Sequence, residues 1–340
     1  MASSLIPPND AHPAVAPASG PEGLTELTET ANRIQAAVGT VIEGKPAAIK
    51  LALTVLLAEG HLLIEDVPGV GKTMLAKSLA RSIDCSVQRV QFTPDLMPSD
   101  LTGVSVFNQQ TRDFDFKPGG IFANIVVGDE INRASPKTQS ALLEAMEERQ
   151  VTVDRTTYHL DPPFMVVATQ NPIEMEGTYP LPEAQRDRFM IRLSMGYPDM
   201  GDEIDMLSTH GGAEQSSLDT LEPVTDGTHV AKLVEIVRGI HVSPAVKNYA
   251  VSLADATRRS PDLRLGASPR ATLHLIKAAK AWAALNNREY VLPDDIQHLA
   301  TAVLSHRLLP TADAQIGQRN VEGIIATLVS KIAVPDATRS

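Results

Sequence analysis

What this chain has little of narrows its function before any motif is read. Cys85 is the only cysteine in 340 residues, so no internal disulfide can form, which suits a reducing cytoplasm. It is expected to be a small side chain buried beside a strand. Basic residues are in deficit: 30 Lys and Arg against 41 Asp and Glu give a formal net charge of −11. Apart from a local basic strip, such a surface argues against non-specific binding to nucleic acid or anionic membranes. Aromatics make up only 4% of the chain, and they do not alternate with basic residues as in nucleic-acid readers. No helix-turn-helix or zinc motif is appended. The longest apolar run, near 48–57, is broken by Lys50 and is too short to span a bilayer. The opening MASSLIPPND has no basic region followed by an apolar core, so no secretion signal is expected. The nine histidines show no ligand spacing, and there is no internal repeat, heptad array or metal-ligand cluster. The expectation is a soluble intracellular protein, whose 43% apolar content suffices for one large or two ordinary domains.

Against these absences stands one strong motif. Residues 64–77 read IEDVPGVGKTMLAK, an apolar strand, a glycine loop, then Lys72 and Thr73 opening an amphipathic helix. Gly69 and Gly71 let the backbone curl and aim several N–H groups at one phosphate. The helix N-terminus adds partial positive charge, and Lys72 can reach β- and γ-phosphates. Thr73 offers a hydroxyl to a magnesium ion. The strict pattern asks for glycine at 66, where this chain has Asp66. Asp66, Val67, Pro68, Gly69, Val70, Gly71, Lys72 and Thr73 form the candidate nucleotide loop.

Around it the pattern alternates. Residues 1–22, rich in Pro, Ala and Ser, read as a disordered tail. Helices are expected near 24–40 and 46–58, and strands at 61–66, 86–92, 125–130, 164–169 and 189–194. Unbroken apolar strands alternating with helices argue for a parallel sheet covered on both faces. Ser135 and Pro136 mark a helix start, with the helix running to about Arg149. Two stretches, 104–116 and 151–160, alternate with period two and read as β-hairpins added to the core. Beyond Pro198 only helix signals appear, near 229–239, 243–259, 269–286, 293–306 and 320–332, after a polar linker at 211–228. Trp282 with Leu273, Leu275 and Leu285 reads as helix-packing core.

Further candidates follow from position. Asp129 and Glu130 end an apolar strand, at the edge where parallel sheets bind ligands. Asp129 is placed to hold the magnesium shell, and Glu130 to orient or deprotonate the attacking water. An acid pair at a strand end is common because such ends are solvated, but one that follows a phosphate loop carries more weight. Asn171, after the next strand, can hydrogen-bond a γ-phosphate or the lytic water; it also fits an ordinary turn before Pro172. Arg186 and Arg188 precede the fifth strand, too far to reach the chain's own phosphate but able to reach a neighbour's. One of the two is assigned instead to a surface ion pair with Glu183 or Asp187. Arg270 projects from the first turn of a helix capped by Ser268, where a cation opposes the dipole and suggests an anion partner.

Taken together, EDVPGVGKTMLAKSLA, QFTPDLMPSDLTG, GGIFANIVVGDEINRASPKTQSALLEAMEERQVTVD, PFMVVATQNPIEMEGTYPLPEAQRDRFM and LGASPRATLHLIKAAKAWA resemble the AAA+ superfamily, specifically its MoxR branch. Gly120, where proline is more usual, and Gly128, within the acid-bearing strand, are the departures. The resemblance implies an α/β P-loop NTPase with a three-layer parallel-sheet core at 23–196, two hairpin insertions, and a small all-α lid at 197–340. It makes residues 66–73 Walker A and Asp129 with Glu130 Walker B. Asn171 becomes sensor 1, Arg188 the arginine finger with Arg186 in reserve, and Arg270 sensor 2. It further implies Mg2+-dependent ATP hydrolysis and a homo-oligomeric, usually hexameric ring with the hairpins facing its opening. Chaperone-like maturation of partner complexes or metal insertion follows, often with a von Willebrand factor A domain protein. The alternatives are a metal-chelatase motor subunit, a nucleic-acid motor, and a nucleotide switch with negligible turnover.

Overall fold

A computed structural model describes residues 21–171, 178–197, 200–201 and 217–335. Residues 1–20 of the expected tail and part of the polar linker lie outside these residues, whereas Pro21 and Glu22, placed in that tail, open the first helix. Two helices open the fold, α1 (Pro21–Gly39) and α2 (Pro46–Leu57), with Pro46 at the start of α2, where its missing N–H costs nothing. The sheet contains β1 (Leu62–Glu65), β2 (Val87–Gln91), β5 (Ile125–Asp129), β8 (Met165–Gln170) and β9 (Ile191–Leu193), in the order β2-β5-β8-β1-β9 and parallel throughout. β5 is buried along its whole length, as its run of apolar residues requires, whereas β2 is an edge strand with only Val90 buried. That edge position explains why β2 is largely polar.

Successive side chains of a strand point to opposite faces, and the two cores divide accordingly. Leu62 and Ile64 join the cluster built from α1, α2, α3 (Lys72–Ser82) and the lid, while Leu63 joins the cluster on the other face. That second core gathers Leu101 of α4 (Pro98–Thr102) with Leu142, Leu143 and Met146 of α5 (Pro136–Glu148). The result is three layers, as expected. Ser135 caps α5 by accepting from the Thr138 N–H. Gly128 has a packing reason: a Cβ there would lie 3.1 Å from the Phe92 ring.

Both hairpins form, as β3 (Val104–Asn108) with β4 (Asp113–Lys117) and β6 (Gln150–Val153) with β7 (Thr156–His159). Phe116 of the first stacks on Tyr158 of the second at 3.9 Å, which ties them together. Phe107 and Phe114 pack edge to face yet stay exposed, Phe114 at 65%.

Helices Gly227–Gly239, Pro244–Arg259, Pro269–Leu285, Pro293–Leu304 and Val321–Lys331 make most of the lid. It is not all-α: β10 (Leu263–Leu265) and β11 (Leu309–Pro310) pair antiparallel beside the Thr311 N–H to Asp262 carbonyl bond of 2.9 Å. Strands this short show no periodicity to read. The expected Trp282 cluster also needs correcting. Leu275 and Leu285 are buried, but Leu273 is 63% exposed, and the Trp282 ring stacks on His298 with Lys50 above it. Cys85 is half-buried rather than fully buried, and burial with nearby Asp84 and Asp226 raises its thiol pKa to about 11, which disfavours the thiolate.

The lid is bolted to the core by Arg307, whose side chain is 2% exposed. Its Nε donates to Asp187 at 2.9 Å, and other nitrogens reach the Phe189 and Met190 carbonyls and His274 Nδ1. His274 must be neutral to accept, and burial with the Arg307 charge lowers its pKa to about 2. His61 accepts from the Val166 N–H at Nδ1 and donates from Nε2 to the Met146 carbonyl; burial lowers it to about 4. Both pKa values lie below the usual histidine value near 6.5, so the unfolded chain binds more protons. Their stabilising contribution is therefore complete above about pH 6.5 and is lost as pH falls towards 4. Melting curves between pH 7.5 and 4.5 are expected to show a steady fall in stability that is shallower in His61→Gln; equal slopes would contradict this assignment.

Candidate active site

The parallel register brings the strand ends together. Glu65 lies beside Gln170, and Gln91 beside Asp129. At this C-terminal edge β1 runs into the glycine loop, where Gly69 and Gly71 both have φ of +84°, strained for any residue with a Cβ. A Cβ at Gly69 would meet nothing within 4 Å, so the loop faces open space. Gly71 precedes α3 in the left-handed region, and no side chain caps the helix. The first amides of α3 are thus left for an anion. Lys72 Nζ donates to the Asp66 carbonyl at 2.6 Å, which folds the side chain over the loop.

Asp66 takes a different part from its neighbours. Its backbone belongs to the loop, but its buried carboxylate points to the segment leaving β9. Oδ2 accepts from Ser194 Oγ at 3.1 Å and from the N–H groups of Met195 and Gly196 at 2.7 Å each, while Oδ1 accepts from Val67 N–H. Burial raises its pKa, yet the donors from Gly196, Val67, Ser194 and Met195 outweigh this and hold it below the usual carboxylate range. The expected glycine is absent because this position ties the loop to the start of the lid connection.

Thr73 Oγ1 lies 3.2 Å from each oxygen of Asp129, so the hydroxyl and carboxylate expected around a metal do converge. This oxygen-only pair suits a hard divalent cation. Thr169 of β8 pins both acids: its hydroxyl reaches Asp129 at 3.3 Å and accepts the Glu130 N–H at 3.0 Å. The strand ends at Asp129, and Glu130 turns off it at φ 57°, a conformation uncommon for a residue with a side chain. Its Oε2 accepts from Gln91 Nε2 at 2.8 Å and Arg133 at 3.0 Å. Asp129 also receives Arg89 Nε at 2.6 Å. Sequence reading missed Thr169, Arg89 and Gln91, whose partners are brought near only by strand pairing, and Arg133, which lies three residues along the chain from Glu130. Asn171 is buried just beyond β8, next to the loop, since the Asp66 N–H reaches the Gln170 carbonyl at 3.2 Å. Ile42 and Met195 flank Gly71, giving the loop an apolar wall.

The arginines lie elsewhere. Arg186 ends the short helix α6 (Glu183–Arg186), and Arg188 follows; both precede β9 and so sit at the N-terminal edge of the sheet. Arg188 Nε donates to Glu147 of α5 at 2.8 Å. Arg186 Nε is buried with no partner among the described residues. Neither arginine pairs with Glu183 or Asp187 among these residues, contrary to the surface-pair expectation. Arg270 of the lid also binds Glu147, and approaches Asp187 at 3.9 Å. Its anion within this chain is therefore a carboxylate beside Arg188, far from the glycine loop.

Residues 61–191 match the family described as ATPase family associated with various cellular activities (AAA), and residues 255–326 match an AAA lid domain. Chaperone MoxR1 of Mycobacterium tuberculosis is 39% identical over 94% of this chain and 86% of its own length. Protein MoxR of Methylorubrum extorquens is 30% identical over 84% and 89%. This chain belongs to the MoxR family of AAA+ ATPases. The uncharacterized protein YeaC of Bacillus subtilis is 50% identical over 88% of the chain and 92% of its own. A crystal structure of an ATPase candidate from Cytophaga hutchinsonii superposes with TM-score 0.86 at 37% identity, covering 93% of this chain and 98% of that one. As a MoxR-family ATPase the protein hydrolyses ATP and binds its nucleotide with a divalent metal. Among the described residues no helix is long and apolar enough to cross a membrane.

Asp66→Gly restores the strict loop pattern but deletes the acceptor of three amides and a hydroxyl. It is expected to lower stability by about 1–3 kcal/mol and to weaken nucleotide binding rather than improve it. Calorimetric melting with and without ADP measures both, and an unchanged melting temperature would refute the tie.

Proposed function

We propose that this protein works as a Mg2+-dependent, ring-forming ATPase whose hydrolytic sites are completed between subunits and whose turnover remodels or matures a partner protein complex. One observation carries the first half: the glycine loop, Asp129, Glu130 and Asn171 share one edge of the sheet, while Arg188 and Arg270 share the other. A six-residue strand such as β8 spans on the order of 15–20 Å, more than an arginine side chain can bridge. These cations suit the phosphates of a neighbouring copy, and a closed ring, usually of six subunits in this family, satisfies every interface at once.

Within one site the chain's residues divide the work. Loop amides and the start of α3 bind the phosphates, and Lys72 moves from the Asp66 carbonyl to the β- and γ-oxygens. Thr73 and Asp129 hold the metal, which when bound neutralises charge on the phosphate oxygens. Glu130 orients the attacking water and takes its proton, and the Asn171 amide steadies the water or γ-phosphate. Arg188 from the next subunit offsets charge that develops in the transition state, with Arg270 beside it and Arg186 in reserve.

The remodelling half rests on the relative named a chaperone and on the resemblance of the motifs. The client complex and a von Willebrand factor A domain protein are the partners this reading expects, in a reducing cytoplasm that suits the free thiol of Cys85. The exposed Phe107 and Phe114 on the first hairpin give such a partner an apolar contact.

Lys72→Ala is expected to abolish or greatly weaken ATP binding, whereas Glu130→Gln should bind ATP but hardly turn it over; calorimetry and phosphate release separate the two, and full turnover in Glu130→Gln would remove its role. Arg188→Ala should lower kcat by about 10³ or more, and mixing it with Lys72→Ala should recover activity through hybrid interfaces. Absence of recovery in confirmed mixed assemblies would overturn action between subunits.

A further inference from the structure

Glu147 stands where the two arginines meet. One carboxylate serves both: Oε2 accepts Arg188 Nε at 2.8 Å, and Oε1 accepts a terminal nitrogen of Arg270. Arg188 comes from the turn before β9 and Arg270 from the lid, so two domains converge on a single side chain of α5. Both charges sit at the wrong ends of their helices. Glu147 lies in the last turn of α5 and Arg270 in the first turn of Pro269–Leu285, where each opposes the helix dipole. All three side chains are partly exposed, and ion pairs in that setting contribute about 0–1 kcal/mol. Stability alone therefore gives little reason for the arrangement.

The bonding leaves something over. Arg188 uses Nε, and among the described residues its terminal nitrogens take no bond. The lid side is fixed independently, because Asp187 accepts from Ser268 Oγ at 2.9 Å and from Arg307, which locks the start of the Arg270 helix against the turn carrying Arg188. Glu147, Arg188 and Arg270 line a hollow of about 430 Å³ that is also lined by Arg149, Arg238 and Lys277. Arg149 and Arg238 are both bound by Glu59, whereas Lys277 makes no ion pair among the described residues. Without the Glu147 charge, Arg188 and Arg270 would repel each other.

We propose that Glu147 is a positioning residue for hydrolysis at the neighbouring subunit's site, aligning Arg188 and Arg270 as one cationic pair that meets the γ-phosphate. This rests on the between-subunit reading above. Hydrogen bonding from Arg188, against a smaller effect of burial, keeps the Glu147 carboxyl below its usual range, so it remains charged at any working pH. The acid touches no nucleotide itself; it supplies the fixed geometry on which an arginine's contribution depends.

The test is Glu147→Gln in the full chain, assayed beside Arg188→Ala. The expected result is a kcat lowered about tenfold or more, with KM for ATP, ADP affinity and melting temperature unchanged. Mixing Glu147→Gln with Lys72→Ala should recover turnover, because the Lys72→Ala subunits still present aligned arginines to intact loops. Wild-type kcat in Glu147→Gln overturns the proposal, as does a lowered kcat that mixing leaves uncorrected while Arg188→Ala is corrected. If Arg188→Ala is itself not corrected in confirmed mixed assemblies, the between-subunit reading fails and takes this proposal with it. Those two failures are distinct.

Discussion

Strand direction is the constraint from which the rest of this molecule follows. Five parallel strands must all end at one edge, so whatever follows each strand is gathered there. The glycine loop, the two acids and Asn171 each follow a strand and therefore meet. Arg186 and Arg188 precede a strand and must lie at the opposite edge. No side-chain rearrangement can cross a sheet held by a parallel hydrogen-bonded ladder.

Two fastenings keep the lid in step with that sheet, one at each edge. At the loop edge, the Asp66 carboxylate accepts from the amides of Met195 and Gly196, so the start of the glycine loop is tied to the exit of β9. At the far edge, buried Arg307 binds Asp187 and the carbonyls that open β9. A buried arginine is costly unless paired and fully hydrogen-bonded, and this one is bonded at Nε and both terminal nitrogens. The lid's own arginine is held in register with the core through the same Asp187 that accepts from its N-cap, Ser268.

The acids at the loop edge are also framed by groups from neighbouring strands and from the turn that follows Glu130. Thr169 serves Asp129 and Glu130 at once, Arg89 neutralises Asp129, and Gln91 with Arg133 holds one oxygen of Glu130. A site so furnished with internal partners keeps its carboxylates oriented. The left-handed turn at Glu130 turns its side chain away from the strand register and towards Gln91 and Arg133.

By itself, the sequence determined whatever depends on residues near one another along the chain. Periodicity and burial potential fixed the strands and helices; the Gly–Lys–Thr turn and the Ser135–Pro136 cap follow local backbone rules, and the long phrases around them carried the family. Folding decided what depends on residues far apart. Leu263–Leu265 becomes a strand only because Leu309–Pro310 pairs with it, and Leu273 stays exposed although its helix is largely buried. Asp66 resembles a flaw in the loop until its carboxylate is seen to hold Gly196, and Glu147 is an ordinary helix-end acid until Arg188 and Arg270 arrive from another turn and another domain. The physical reason is the same in each case: Coulombic and hydrogen-bond partners act through space, and only the packed sheet and its lid set those distances.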